Sequence, residues 1–211
     1  MHRRLFLLQG VLLGLTLSGA GCAPPIIRQG IHRREGELLV GGQAAGVETP
    51  VRPGDTVATG AGGRAVLVMG DDAFLLGSDT RVEFHSPSPS SPRSSTGFTL
   101  TSGKILSVLG AGSKTLKIPT AIIGIRGTGI FLQVEPEQDY LCLCYGRIEI
   151  RMRATPDIGT PLESRNHASR YLKATAPIRK APMISHTDEE LYMLEALVNR
   201  RPLLEDSTQG Y

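Results

Sequence analysis

The sequence contains no tryptophan, and its 211 residues include only five tyrosines and five phenylalanines. Cysteine is scarce as well, at three residues, whereas there are 25 glycines and 14 prolines. A chain this poor in aromatic residues and this rich in turn-forming residues is typical of an all-β protein with many short strands. A bundle of helices is therefore excluded as the main architecture.

Long hydrophobic runs are also lacking. The apolar run Leu5–Leu17 is shorter than the roughly 20 residues that a membrane-spanning helix needs, which argues against a permanent transmembrane anchor. It follows Arg3 and Arg4 and leads into small residues at 18–21, and this order predicts that residues 1–21 are an export signal. The paired arginines and the apolar residues after them also resemble the twin-arginine export motif, so the export route stays open.

Cys22 follows the predicted signal directly. This position resembles the lipobox of bacterial lipoproteins, in which the cysteine is acylated and becomes the mature N-terminus, although Gly19 stands where the motif prefers leucine. The alternative is cleavage near Ala20 or Ala23, with Cys22 an ordinary thiol. The predicted localisation is the periplasm or the outer membrane, and a lipid anchor at Cys22 is the only contact with the membrane that we expect.

Excess charge of one sign is absent from the rest of the chain. Without the two arginines of residues 1–21, the net charge falls from +3 to +1. No cluster of lysines and arginines remains that could form a nucleic-acid-binding surface. We therefore exclude nucleic acid as a partner.

The chain after the signal divides into three parts. Residues 22–36 have no hydrophobic period and are predicted to be a tether. Over residues 37–153 short apolar runs alternate with glycine turns, which predicts one all-β domain, either a sandwich or a solenoid-like stack of short strands. The run at 64–69 is apolar on both faces, so this strand should be covered on both sides. The serine- and proline-rich segment 86–97 is predicted to be a flexible, exposed loop.

Residues 154–211 are predicted to be an irregular extension with a single helix at about 187–200. Thr187 with Glu190 three residues later is a capping box, and Asp188 suits the positive end of the helix dipole. The apolar stripe of this helix comprises Leu191, Leu194, Leu197 and Val198. Because an isolated helix of about twelve residues is marginally stable, it should pack on the β domain.

Soft metal ligands occur in one combination. Cys142 and Cys144 stand two residues apart in a predicted strand, and His167 and His186 lie in the extension with eighteen residues between them. Two thiolates and two imidazoles could bind a metal, or one of them could bind haem. The alternative, which we expect, is two small buried side chains turned inward beneath other strands, with no cofactor. A disulfide would need a kink, since such residues lie roughly 6.5 to 7 Å apart at Cα.

Over about residues 50–152 the order of segments resembles the FecR-type periplasmic domain. The residues that carry this resemblance most clearly are Gly54, Asp55, Thr56, Pro119, Thr120, Ala121, Gly124, Arg126, Gly127 and Thr128. FecR-type regulators pass a signal from an outer-membrane iron-chelate receptor to a cytoplasmic sigma factor. The resemblance implies a binding or interaction domain. Because an export signal stands where such regulators have a cytoplasmic anti-sigma region, we do not expect direct sigma regulation here.

Arg126 is the one charged residue in a long apolar run. It is interpreted either as a structural arginine that pairs with an acid or with turn carbonyls, or as a ligand-facing arginine for a carboxylate or phosphate. The glycines around it do not make a phosphate loop, because the lysine and the following helix are missing.

No catalytic set of side chains can be recognised in the chain. The sequence therefore predicts a non-enzymatic envelope module whose partner is an envelope protein or polymer. The alternative is a metal- or haem-binding periplasmic protein that uses Cys142, Cys144, His167 and His186.

Overall fold

The computed structural model describes residues 27–47, 49–88, 91–201 and 204, so the predicted export signal and Cys22 lie outside the described residues. The described chain is mostly β with one helix, as predicted. None of its helices has the length and hydropathy that a membrane crossing requires. The elements, in chain order, are β1 Gly30–Glu35, β2 Leu38–Val40, β3 Gln43–Ala44, β4 Thr56–Thr59, β5 Arg64–Met69, β6 Asp72–Leu76, β7 Arg81–Phe84, β8 Pro87–Ser88, β9 Ser91–Ser95, β10 Gly97–Val108, β11 Ser113–Lys117, β12 Ala121–Arg126, β13 Gly129–Val134, β14 Asp139–Met152, β15 Gly159–Ser164, β16 Ala168–Leu172, β17 Arg179–Lys180 and α1 Asp188–Leu197.

The strands form two large sheets that share β10 and β14. Sheet A has the order β17-β16-β14-β13-β10-β6-β5-β1, and sheet B has the order β3-β2-β4-β7-β10-β11-β12-β14-β15. Neighbours within both sheets are antiparallel, except that β10 and β11 are parallel. The fold is therefore closer to the predicted sandwich than to a solenoid.

The two shared strands change sheet at a glycine. Gly103 of β10 has a φ of 76° and Gly146 of β14 has a φ of 99°, in the left-handed region that favours glycine. Residues of β10 before Gly103 pair in sheet B, and those from Gly103 onward pair in sheet A. In β14 the order is opposite: residues before Gly146 pair in sheet A, and those from Gly146 onward pair in sheet B. These bends enclose one core between the two sheets.

The main core between the sheets contains a cluster of aromatic rings. Phe74, Phe84 and Phe98 pack edge to edge or edge to face, with ring centroids 4.9, 6.1 and 6.2 Å apart. All three side chains are fully buried. Such pairs contribute about 0.5–1.5 kcal/mol each beyond the burial of their surface.

A second core covers the outer face of sheet A. Val66 and Val68 of β5 face this second core, whereas Ala65 and Leu67 face the main core, which confirms that β5 is covered on both sides. Helix α1 provides the cover through its buried side chains Leu191 and Leu194, together with Val198 directly after the helix. Burying a side chain of this size contributes about 1.5–3 kcal/mol, so the predicted docking of the helix on the β domain is confirmed.

The ends of α1 follow the sequence signals closely. Thr187 and Glu190 form the predicted capping box, in which each side chain accepts a hydrogen bond from the backbone N–H of the other residue. Glu190 also pairs with Arg64 of β5, which ties the start of the helix to sheet A. The helix ends at Leu197, earlier than predicted, because Asn199 adopts a left-handed φ of 55°.

Segments that the sequence predicted to be irregular carry strands. Residues 30–35 of the predicted tether form β1, which pairs with β5 and buries Ile31. The sequence did not predict this strand, because the charged residues after Ile31 hide the hydrophobic pattern of a strand. The predicted flexible loop at 86–97 contains the β8–β9 ribbon, since backbone hydrogen bonds pair two strands without apolar side chains. In the extension, β15 and β16 add to β14 on opposite sides of its bend.

Candidate metal centre

Cys142 and Cys144 lie on β14, on the face of sheet A that the extension covers. Both are completely buried and both are free thiols. Leu141 and Leu143 alternate with them and point into the main core, so the cysteines point into the second core. The expectation that they turn inward beneath other strands, away from the extension, is therefore wrong.

His167 reaches the cysteines from the turn between β15 and β16. The strand β16 pairs with β14 so that Ser169 stands opposite Cys142, and the N–H of His167 donates to the carbonyl of Cys144 at 3.0 Å. Its backbone has a left-handed φ of 43°. The Nδ1 atom of the ring lies 3.4 Å from the sulfur of Cys142.

His186 arrives from the opposite direction, in the segment that leads into α1. Tyr140 anchors this segment, because its hydroxyl donates to the carbonyl of Pro182 at 2.9 Å and accepts from the N–H of Ile184 at 3.1 Å. The Nε2 atom of His186 lies 3.6 Å from the sulfur of Cys144.

Together the four side chains place their ligand atoms around one point. The sulfurs of Cys142 and Cys144 and one ring nitrogen each of His167 and His186 all lie within 4.8 Å of one another. With Zn–S bonds of about 2.3 Å and Zn–N bonds of about 2.0–2.1 Å, a tetrahedral zinc ion holds sulfur and nitrogen ligands about 3.5 Å apart. The two measured sulfur–nitrogen distances, 3.4 and 3.6 Å, match that separation.

Each imidazole is oriented through its other nitrogen. The Nε2 atom of His167 lies 2.7 Å from Oδ1 of Asp188, and the Nδ1 atom of His186 lies 2.9 Å from the carbonyl oxygen of Ile184. Because both partners are acceptors, these nitrogens are placed to donate to them, and the nitrogens that face the sulfurs are the ones positioned to bind a metal ion. Phe131 stacks on the ring of His186 at 4.6 Å and holds its plane.

The electrostatics favour a thiolate in this cluster. A hydrogen bond from Cys144, together with His167 and His186, lowers the pKa of Cys142 to about 3 against the opposing effect of burial. Burial raises the pKa of Cys144, as does its neighbour Cys142. Burial lowers the pKa of His167, but Cys142 and Asp188 outweigh it and leave that pKa raised. A metal ion would displace protons from Cys144 and His167, so its affinity should increase with pH.

Two residues of this site were not found from the sequence. Asp188 was interpreted only as an acid at the start of the helix, which it is, and its bond to His167 spans 21 positions in the chain. Phe131 stands opposite Cys142 in the pairing of β13 with β14. Neither has a local signal, because both contacts depend on tertiary packing.

The family-motif residues lie outside this cluster and serve turns and strands. In the turn before β4, Gly54 has a φ of 98°, and Asp55 accepts from the N–H of Arg52 at 2.7 Å. Thr120, in the turn after Pro119, donates to Asp139 from its N–H and its hydroxyl. The remaining motif residues are Thr56 in β4, Ala121 and Gly124 in β12, and Gly127 and Thr128 before β13.

Arg126 is the motif residue to which the sequence gave two interpretations. Its side chain is exposed at the end of β12, opposite Ser113. Within the described part of the chain it forms neither a hydrogen bond nor an ion pair. The described residues therefore give the paired, structural interpretation no support, and both interpretations of Arg126 stay predictions.

Fold and cluster together define an all-β domain whose C-terminal extension closes over one sheet. Residues 55–144 match the family model described as FecR protein, so the chain contains a FecR-type domain, as the resemblance predicted. Cys142 and Cys144 stand at the end of the matched region, and both histidines lie beyond it. A search of curated proteins gives no match.

Two crystal structures are similar to the chain, each of a candidate anti-sigma factor from Parabacteroides distasonis. The structure at 2.50 Å resolution has 13% sequence identity and a TM-score of 0.48, and the alignment covers 60% of this chain and 58% of that one. The structure at 1.65 Å has 13% identity and a TM-score of 0.49, with 66% and 64% covered. The chain thus spans about three fifths of the length of each.

Proposed function

We propose that this protein is an exported, non-enzymatic FecR-type module that binds one Zn²⁺ ion through Cys142, Cys144, His167 and His186. The observation that supports zinc binding is the convergence of the four ligand atoms within 4.8 Å. Four protein ligands fill a tetrahedral zinc ion completely, as in structural rather than catalytic sites. The ion would join the end of the FecR-type domain to its extension.

Metal binding explains features that mere packing leaves unexplained. Both imidazoles are buried and turn one nitrogen toward a sulfur, and each is held by an acceptor at its other nitrogen. Left-handed backbone at His167 and at Ser185, next to His186, costs about 1–3 kcal/mol per residue. A bond to zinc would offset that strain, since structural zinc sites contribute folding free energy directly.

The donor set favours zinc over the other cofactors considered. Haem iron takes four ligands from the porphyrin, and four protein atoms this close together leave no space for that ring. Magnesium and calcium prefer oxygen ligands, which the cluster does not offer. Two thiolates and two imidazoles at tetrahedral spacing are a common structural zinc set.

Export rests on the N-terminal sequence pattern, with Cys22 as the acylated residue and an envelope protein or polymer as the partner. Mass spectrometry of the mature N-terminus, with and without globomycin, tests this part of the proposal. A diacylglycerol-modified Cys22 is expected. An unmodified terminus beyond Cys22 would remove the lipid anchor, and an intact residue 1 in the cell fraction would remove export.

The zinc proposal is tested on the purified protein, kept reduced, by elemental analysis and by the absorption spectrum after replacement of zinc with Co²⁺. We expect one zinc ion per chain and the charge-transfer bands of cobalt–thiolate bonds. The substitutions Cys144→Ser and His186→Ala should abolish both signals. His85→Ala is the matched control, because that histidine lies on sheet B and bonds Thr99 instead.

A finer test uses Asp188→Asn, which keeps the size of the side chain but weakens its hold on His167. Zinc affinity measured against a competing chelator should fall about 10–100-fold. The adjacent Glu189→Gln should leave affinity unchanged. A reduced wild-type protein that binds neither zinc nor cobalt would overturn the proposal.

A further inference from the structure

We infer that the zinc site is also a thiol redox switch, in which a peroxide converts Cys142 and Cys144 to a disulfide and the zinc ion leaves. This inference rests on the proposed zinc binding and adds a regulation to the same site. Among the described residues these are the only cysteines, so within that part of the chain each can pair only with the other.

The strand β14 departs from regular pairing directly beside Leu143, the residue between the two cysteines. In the pairing of β13 with β14, Gly129 stands opposite Tyr145 and Ile130 stands opposite Leu143. Cys144 is therefore the extra residue of a β-bulge. A bulge bends its strand next to Cys144, whereas the Cα spacing of the two cysteines is set at Leu143, so the disulfide requires a further bend at that residue.

The side chains are already placed for this reaction. Both sulfurs lie on one face of β14 and within the 4.8 Å that encloses the whole cluster. The sulfur of Cys142 lies 3.4 Å from His167 and that of Cys144 lies 3.6 Å from His186, so both thiols belong to one cluster. The side chain of Asp188, which contacts His167, is 39% exposed, so the cluster lies one side chain below the surface.

The chemistry balances with hydrogen peroxide as the oxidant. One thiolate attacks a peroxide oxygen, breaks the O–O bond and becomes a sulfenic acid, and the other thiolate then displaces the hydroxide to form the S–S bond. Two Zn–S bonds break and the sulfurs lose two electrons. The peroxide takes up those electrons and two protons to give two water molecules. Zinc leaves because two imidazoles alone hold it weakly, and a dithiol reductant reverses the reaction.

The test uses the full chain with Cys22→Ser, so that only the two thiols of the site remain. The reduced, zinc-loaded protein is titrated with hydrogen peroxide while a chromogenic chelator reports free zinc. Free thiols are counted after denaturation, and peptide mapping locates the bridge. We expect loss of one zinc ion for every two thiols, a Cys142–Cys144 disulfide, and recovery of zinc binding after a dithiol is added.

The possible outcomes separate the two proposals. Protein that holds no zinc before oxidant is added contradicts the zinc site and the switch together. Zinc that stays bound under peroxide, or that leaves as sulfinic acid forms without a disulfide, overturns the switch alone. Peptide mapping shows whether the disulfide forms in protein that keeps both Cys142 and Cys144. The result therefore does not depend on a variant of either cysteine, which could lose zinc binding for other reasons.

Discussion

At the scale of single residues, one ion pair lies almost completely buried in the described part of the protein. The Nζ atom of Lys114 lies 2.9 Å from Oδ2 of Asp72, and their side chains are only 5% and 1% exposed. Asp72 also accepts from the N–H of Gly110, and Lys114 donates to the carbonyl of Ser95. Burial nevertheless raises the pKa of Asp72, with Lys114 acting in the opposite direction. The carboxylate therefore depends on its partner to stay charged in the folded state.

Replacing Lys114 by methionine should lower the free energy of unfolding at neutral pH by about 3–5 kcal/mol, because it leaves a buried carboxylate uncompensated. A carboxyl group whose folded pKa exceeds its unfolded value opposes folding above both values, and that cost disappears as the pH falls through the folded pKa. The loss in Lys114→Met should therefore be smaller at mildly acidic pH. Urea unfolding of the wild type and of Lys114→Met, at neutral and at mildly acidic pH, measures this loss of free energy.

The matched control is Lys117→Met on the same strand, which is half-buried and should change stability by no more than about 0.5 kcal/mol. An equal loss for Lys114→Met at neutral and acidic pH would show that Asp72 is not the source of the instability.

At the scale of elements, the architecture depends on two strands that bend between the sheets. Gly103 in β10 and Gly146 in β14 allow this through their positive φ angles. A Cβ atom at Gly103 would lie 2.4 Å from the Cα of Thr80, and one at Gly146 would lie 3.0 Å from the carbonyl oxygen of Gly127. Backbone atoms cannot move aside as a flexible side chain can. Each bend is therefore restricted to glycine by its backbone angle and by its neighbours.

We predict that Gly103→Ala lowers the free energy of unfolding by at least about 2 kcal/mol, because it adds backbone strain and a clash. Gly124→Ala is the matched control, since it lies within β12 and a Cβ there meets no atom within 4 Å. Alanine at that position should be neutral or slightly stabilising, because glycine is unfavourable inside a strand. Denaturant unfolding of both variants measures the difference, and equal stabilities would contradict this account of the bend.

At the scale of the whole molecule, the proposed zinc site and α1 are two adjoining ties between the FecR-type domain and its extension, coupled through Asp188 and His167. The helix contributes apolar contacts and the Glu190–Arg64 ion pair. The cluster contributes two ligands from each side of the boundary, since the matched family region ends at residue 144. Zinc should accordingly stabilise the assembled molecule more than either part alone.

Removing zinc with a chelator should lower the melting temperature of the loaded protein. A ligand present at about 1,000 times its dissociation constant stabilises a protein by about 4 kcal/mol. Amide hydrogen exchange should accelerate over β16 and α1, whereas β5 and β6 should change little. The Cys142→Ser/Cys144→Ser variant should show no response to chelator. Unchanged amide exchange over α1 and β16 in the wild type would contradict the proposal that zinc joins the extension to the FecR-type domain.

Signals that are local in the sequence determined much of the fold. The two apolar faces of β5, the capping box at Thr187 and the ordered glycine motifs each depend on neighbouring residues, and the structure has all three. β1 and the β8–β9 ribbon could not be predicted in this way. Pairing of β1 with β5 buries only Gly30 and Ile31 of a charged segment, and the ribbon relies on backbone hydrogen bonds alone.

By itself the sequence determined which four residues could bind a metal, because only two cysteines and two histidines had suitable chemistry and position. Only the tertiary structure decided that they meet. The face on which the cysteines lie follows from the register of β14 and its bulge, which strand alternation alone does not set. Cys142 and His167 are 25 positions apart, and Cys144 and His186 are 42 apart. Such contacts arise when β16 and α1 pack on sheet A, so no local pattern encodes them.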